Sequence, residues 1–210
     1  MTTTTPNKTL QTAANLIAIQ KIAASTTVVG SEVNVATTFG ALVHIHFGRI
    51  TTTAPAAGVN FRIESCPETT GIIGSNAASQ WYPIGTYTTG IAAASTEVPS
   101  ATSTNTLSVP GVTGLAAQDV NVVSSVTSGY SEANTEWFRT VSAASTTVTA
   151  EENFKNAYTT GGMWNHAEIA VVPIDVSAVA RLRVVVDGSA HNQAFLTEVF
   201  MTTFDNVTTV

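Results

Sequence analysis

The chain has 210 residues, of which only 10% are Asp, Glu, Lys or Arg, against roughly 25% in ordinary soluble domains. Thr (36), Ala (29), Val (25) and Ser (17) make up 107 of the residues, a strand-favouring mixture that excludes a helical bundle rich in Leu, Glu and Lys. A hydrophobic fraction of 44% with a net charge of −6 excludes a disordered chain, and eight scattered basic residues give no electrostatic footprint for nucleic acid.

Residues 1–9 are polar and Thr-rich and read as a flexible N-terminal arm. From 10 to 24 a helical spacing (Leu10, Ala14, Ile17, Lys21) competes with an alternating one, and an extended segment is favoured. Period-two alternation is clear in residues 41–52, where Val43, Ile45 and Phe47 share one face and His44 and His46 the other. It is equally clear in 58–66, where Val59, Phe61 and Ile63 alternate with Asn60, Arg62 and Glu64. Residues 81–89 form a third strand in which Pro83 predicts an edge or a bulge.

An Ala/Ser/Thr/Pro-rich stretch over 91–100 reads as a junction, and short strand texts at 8–12-residue spacing follow it. Longer strands return after 161. Residues 166–172 end at Pro173, a natural break; 180–187 place Leu182, Val184 and Val186 opposite Arg181, Arg183 and Val185; and 194–204 alternate again. No β-α-β alternation occurs, so a parallel nucleotide-binding sheet is not expected. The predicted fold is all-β: an antiparallel jelly-roll-like sandwich of residues 10–103 plus 161–210, with a small inserted β domain over 104–160. The last strands are expected to pair with the first, since terminal strands left alone expose open edges.

The N-terminus lacks a basic segment followed by an apolar one, so no signal peptide is expected and synthesis is assigned to a cytoplasm. The uncharged stretch 69–96 is filled with Gly, Ser, Thr, Asn, Gln and Pro, which argues against a membrane span. Cys66 is the lone cysteine and has no base beside it.

Motifs that carry chemistry are sparse. His44 and His46, two apart on a strand, are candidate metal ligands. Cupin-type enzymes use such a pair with a Glu a few residues later, whereas here Phe47, Gly48, Arg49, Ile50 and Thr51 follow; Glu64 or His166 would have to complete the set through the fold. No Gly-x-Ser-x-Gly elbow or phosphate loop occurs, and Glu151-Glu152 reads as a solvated pair. The expectation is therefore no enzyme, no catalytic residues, no metal and no cofactor. Trp81, Tyr82, Trp137 and Trp164 are candidates for an interaction surface, as in the aromatic platforms of β-sandwich carbohydrate-binding modules.

Several strand texts resemble β-rich virion structural proteins of tailed bacteriophages, of the head-decoration type: Leu42-Val-His-Ile-His-Phe-Gly-Arg, Val59-Asn-Phe-Arg-Ile-Glu, Trp81-Tyr-Pro-Ile, Arg181-Leu-Arg-Val-Val-Val-Asp-Gly and Ala194-Phe-Leu-Thr-Glu-Val-Phe-Met-Thr-Thr. The middle texts Thr113-Gly-Leu-Ala-Ala-Gln-Asp-Val and Asn134-Thr-Glu-Trp-Phe-Arg-Thr-Val are similar to a module inserted in some of them. The resemblance covers core strands over most of 10–205 and carries no functional residues. One departure is Thr-Thr-Phe-Asp-Asn after Met201, where a Gly-Asp turn is expected. What the resemblance implies is a capsid decoration or cement protein that binds the major capsid protein or other virion proteins as a symmetric homo-oligomer, a trimer in the first instance. Neither nucleic acid nor membrane is an expected partner. The alternatives are a self-assembling filament or tube subunit that donates its N-terminal arm, and a glycan-binding or receptor-binding β module.

Overall fold

The computed structural model describes residues 4–6, 14–50, 54–67, 80–90, 101–102, 105–109, 117–124, 134–158, 163–205 and 207–209. The 69–79 and 91–100 stretches and the polar 125–133 segment lie outside the described residues. All pairings are antiparallel, and among the described residues there is no α-helix.

In chain order the strands begin with β1 (Thr4–Pro6), β2 (Ala14–Ile22), β3 (Thr27–Val29), β4 (Val33–Asn34) and β5 (Thr38–Arg49). Next come β6 (Asn60–Cys66), β7 (Tyr82–Thr88), β8 (Ala101–Thr102), β9 (Thr106–Ser108), β10 (Val120–Ser124), β11 (Thr135–Ala144) and β12 (Thr147–Ala150). The chain closes with β13 (Met163–Asp175), β14 (Arg181–Asp187), β15 (Phe195–Asp205) and β16 (Val207–Thr209).

If β2, β3 with β4, β5, β6, β7, β13, β14 and β15 are counted as eight successive strands, their order is that of a jelly roll. One layer runs β2-β15-β5-β13, or first-eighth-third-sixth. The other runs β3-β14-β6-β7, or second-seventh-fourth-fifth, with β4 also on β14. The first and last strands of the roll are neighbours, as expected. Within the stretch read as an arm, Thr4–Pro6 pair with Val207–Thr209 of the same chain.

Alternation places the core. Val43, Ile45 and Phe47 of β5, Phe61 and Ile63 of β6, Leu182, Val184 and Val186 of β14, and Phe195, Val199 and Met201 of β15 all face inward. Each such buried side chain contributes roughly 1.5–3 kcal/mol. The alternation of β2 is interrupted, since Leu16 and Ile17 are both buried. Its register against β15 shifts on either side of Val199, and each irregularity turns the following side chains to the other face.

Pro83 lies on an edge strand, and the register between β6 and β7 shifts there, so edge and bulge both occur. Pro173 does not end its strand: β13 runs on to Asp175, with Pro173 opposite Leu42. The reason is positional. Among the described residues Ala167–Asp175 pair only with β5, so the missing N–H of proline falls in a strand with no described ladder on its second side to lose. The Thr-Thr-Phe-Asp text after Met201 contains no turn, because β15 continues through Asp205.

The segment between β7 and β13 extends the larger layer. β10 pairs with Met163–His166 of β13, and β11, β12, β9 and β8 follow in order. It has a hydrophobic cluster of its own: Leu107, Val109, Val123, Phe138, Val148, Ala150 and Tyr158, with Trp164 supplied by β13.

The two long sides of the roll differ. Beside β2, Ser31 N–H donates to Leu16 O at 2.7 Å and Gly30 N–H to Val184 O at 2.8 Å, which joins the layers through backbone. A Cβ at Gly30 would sit 2.6 Å from Leu16 O, so only glycine allows that approach. On the other side the border strands are β7 and β13, and there the join is made by side chains. The Arg49 guanidinium pairs with the Glu168 carboxylate and donates to Gly90 O at 3.1 Å. Glu168 also accepts from Tyr87 Oη at 2.8 Å and from Gly90 N–H. Burial, and then the bond to Glu168, push the Tyr87 phenol far above its ordinary value.

His191 caps the same end of the core. Its ring lies edge-on to Phe47 and Phe195, and Nδ1–H donates to Ala57 O at 2.7 Å. Burial lowers its pKa; the bond to Ala57 works the other way, the Arg49 charge lowers it again, and the net direction is down.

Two outcomes follow. The side chain of Arg49 is only 9% exposed, so Glu168→Ala leaves a buried cation without its partner and lowers unfolding free energy by about 2–4 kcal/mol in urea titration. The double change Arg49→Met with Glu168→Leu is expected to lose less than that. For His191 the folded protein favours the neutral ring. Its contribution is therefore complete above the ordinary histidine value of about 6.5 and is lost as pH falls through the depressed folded value. Thermal melts should drop from about pH 7.5 to about pH 5, and His191→Gln, which keeps a donor for Ala57, should flatten that drop.

Candidate functional site

The outward side of the larger layer follows from the inward one. With Val43, Ile45 and Phe47 in the core, His44, His46 and Gly48 face out, next to Ile169 and Val171 of β13 and Glu198 and Phe200 of β15. Over one end of this face lies β11. Trp137 rests on Gly48, where a Cβ would come within 2.8 Å of Val122 Cγ1 and 3.1 Å of Trp137 Cζ3. Glycine at 48 is therefore what lets β11 lie against the roll.

The next residue outward is held just as specifically. Glu136 accepts from the N–H groups of Lys155 (2.9 Å) and Asn156 (2.9 Å), from Asn156 Nδ2 (3.0 Å) and from Tyr158 Oη. Burial raises its pKa, but bonds from Lys155, Tyr158 and Asn156 outweigh burial and hold the carboxyl below its ordinary value. Its role is structural: one carboxylate organises the turn over 151–158. That turn, β11 and the outer face of the roll enclose a groove in two lobes of ≈ 490 and ≈ 310 Å³. Both lobes are lined by His46, Trp137, Phe138 and Glu152. The larger adds Ile19, Phe154, Lys155 and Glu198; the smaller adds Arg139, Glu151 and Ile169.

The two histidines of the sequence motif take different partners. His44 stacks on Phe200 at 4.6 Å, and its Nε2 lies 3.0 Å from Thr202 Oγ1. Burial and the neighbouring His46 lower its pKa. His46 meets Trp137 and Phe200 edge-on, with Nδ1 3.6 Å from Glu198 Oε2. The carboxylate brought to this pair is thus Glu198. Glu64 is on the outer face of the other layer, bonded to Arg183 at 2.8 Å, and His166 lies beside Trp164. Among the described residues no group of three or more His, Cys, Asp or Glu is placed to hold a metal ion.

The four aromatic candidates do not make one platform. Trp81 covers the outer face of the smaller layer, with the guanidinium of Arg183 4.1 Å and that of Arg181 5.3 Å from its ring centroid. Tyr82 is half exposed, and its hydroxyl donates to Gln80 Oε1. Trp137 lines the groove on the opposite layer. Trp164 is withdrawn from any surface: it is 1% exposed, inside the second hydrophobic cluster, because the face of β13 that it occupies is covered by the inserted strands. Sequence reasoning missed Glu136, Glu198 and the groove itself. Its one signal was the acidic-aromatic text Glu136-Trp137-Phe138-Arg139 near Glu151-Glu152.

Comparison with known proteins gives no match to a family model, a curated protein or a solved structure.

Gly48→Val forces either Val122 or Trp137 away. It is expected to cost about 1–3 kcal/mol, the usual range for an overpacked site, and to red-shift tryptophan emission as Trp137 becomes wetter. Gly85→Val, made against side chains of the same core rather than under β11, should leave emission closer to that of the unaltered protein.

Proposed function

We propose that the chain is a non-enzymatic structural protein of a virus particle, a decoration protein that binds a capsid shell as a symmetric homo-oligomer. The observation that carries this reading is the side of the roll bordered by β7 and β13. Among the described residues both are edge strands over this stretch, with backbone groups not paired to a further strand. Both also bear exposed apolar side chains, Tyr82 and Ile84 on β7 and Val171, 49% exposed, on β13. Bare edges with apolar flanks are what association covers. Pro83 and Pro173 on these strands disfavour simple strand addition and favour contact through side chains.

Charge supports the same reading. Arg62, Glu64, Arg183 and Asp187 are spent on one cross-strand ladder, with Arg181 paired to Glu32 beside it. A surface short of free Lys and Glu resembles the centre of an interface. The pairing of Thr4–Pro6 with Val207–Thr209 in the same chain favours a self-contained subunit over a filament built by arm exchange.

The reading is tested on purified particles and purified protein together. Immunogold electron microscopy should label the shell, and light scattering at micromolar concentration should report one closed oligomer, a trimer first. Val171→Glu with Ile84→Lys should weaken association while circular dichroism stays that of the unaltered protein. Absence from particles, or a monomer throughout, refutes it.

A further inference from the structure

We propose that the groove between β11, the 151–158 turn and the outer face of the roll is a binding site for a neutral saccharide. This stands apart from the assembly reading, because Ile169 is the one groove residue named on the β7 and β13 edge and neither Val171 nor Ile84 lines the groove.

Size and shape come first. Two adjoining cavities of ≈ 490 and ≈ 310 Å³ share His46, Trp137, Phe138 and Glu152, and each is within the range of small-ligand sites. Its chemistry then selects among ligand classes. The walls combine aromatic surface from Trp137 and Phe154 with carboxylates from Glu151, Glu152 and Glu198, cations from Arg139 and Lys155, and the amide of Asn153. A lipid would strip water from those charges, which is costly. A phosphate or nucleic acid would meet an acidic excess.

A hydroxylated ring satisfies both signs at once. Each hydroxyl donates to a carboxylate and accepts from a guanidinium, ammonium or amide, while the C–H face of the ring packs on an aromatic. The side chains of Glu151, Glu152, Arg139 and Lys155 make no hydrogen bond or ion pair with other described residues, so they are available to a ligand. Of the residues shared by the two lobes, Trp137 Nε1 and His46 Nδ1 are buried with no hydrogen-bond partner among the described residues, the nearest carboxylate to His46 Nδ1 being Glu198 at 3.6 Å. Such deficits cost about 1–3 kcal/mol each.

The experiment is titration calorimetry and ligand-observed NMR on the full chain with oligomers of glucose, mannose, galactose and N-acetylglucosamine. At least one should bind, with little dependence on salt. Glu152→Gln and Asn153→Ala, both exposed positions that leave the fold intact, should each weaken it about tenfold, the equivalent of one charge-assisted hydrogen bond. Trp81→Phe on the other layer should leave it unchanged. Failure of every saccharide to bind, or binding indifferent to both groove changes, overturns the proposal. So does preferential, salt-sensitive binding of a lysine-rich peptide run in parallel, since that would make the groove an acidic peptide site.

Discussion

The pair of buried Arg49 and half-buried Glu168 holds together the side of the roll that the chain itself leaves open. β7 and β13 are successive strands of the roll, yet residues 89–162 separate them, so no short connection fixes their spacing. The opposite side needs no such device, because the turn after β2 lets Gly30 and Ser31 join the layers through backbone bonds. An ion pair inside an apolar sandwich is tolerable only when its remaining lone pairs find donors. Glu168 finds them in Tyr87 and Gly90, and Arg49 adds a carbonyl and the ring of Phe47, 5.4 Å from its guanidinium carbon. With β13 fixed this way, the inserted strands that build on its first half are fixed as well.

Much of this architecture is legible in the sequence, for a physical reason. Where a strand is buried on one face, alternation is forced, and the inward residues of β5, β6, β14 and β15 can be read from it, although Val185 and Leu196 on the other face are buried as well. The text of β2 misleads at Leu16 and Ile17 because its register slips against β15, a property of the pair rather than of either strand. Pro173 misleads because whether a proline breaks a strand depends on which neighbour is missing, and that is set by the sheet order. Arg49 and Glu168, 119 residues apart, announce nothing locally.

The groove was hidden for the same reason. His46, the Trp137–Glu152 segment and Glu198 come from three distant places in the chain, brought together because β15, β5 and β13 are neighbours and β11 folds back over them. Gly48, unremarkable in the text between Phe47 and Arg49, decides how closely Trp137 can approach. The low charge content takes on a distribution as well as a size. Four of the eight basic residues, Arg49, Arg62, Arg181 and Arg183, are committed to intramolecular pairs, while Arg139 and Lys155 gather with Glu151 and Glu152 at the groove.

β13 belongs to both halves of the molecule: its first four residues carry the inserted strands and its next nine are in register with β5. A pull on the inserted segment along the strand direction therefore reaches the roll as shear across all nine paired positions at once, not as peeling that opens one pair after another. Mechanically the insert is a handle forged in one piece with the border strand of the larger layer of the roll. Tension from whatever grips it is delivered to the border of the larger layer, between β5 and the Arg49–Glu168 tether.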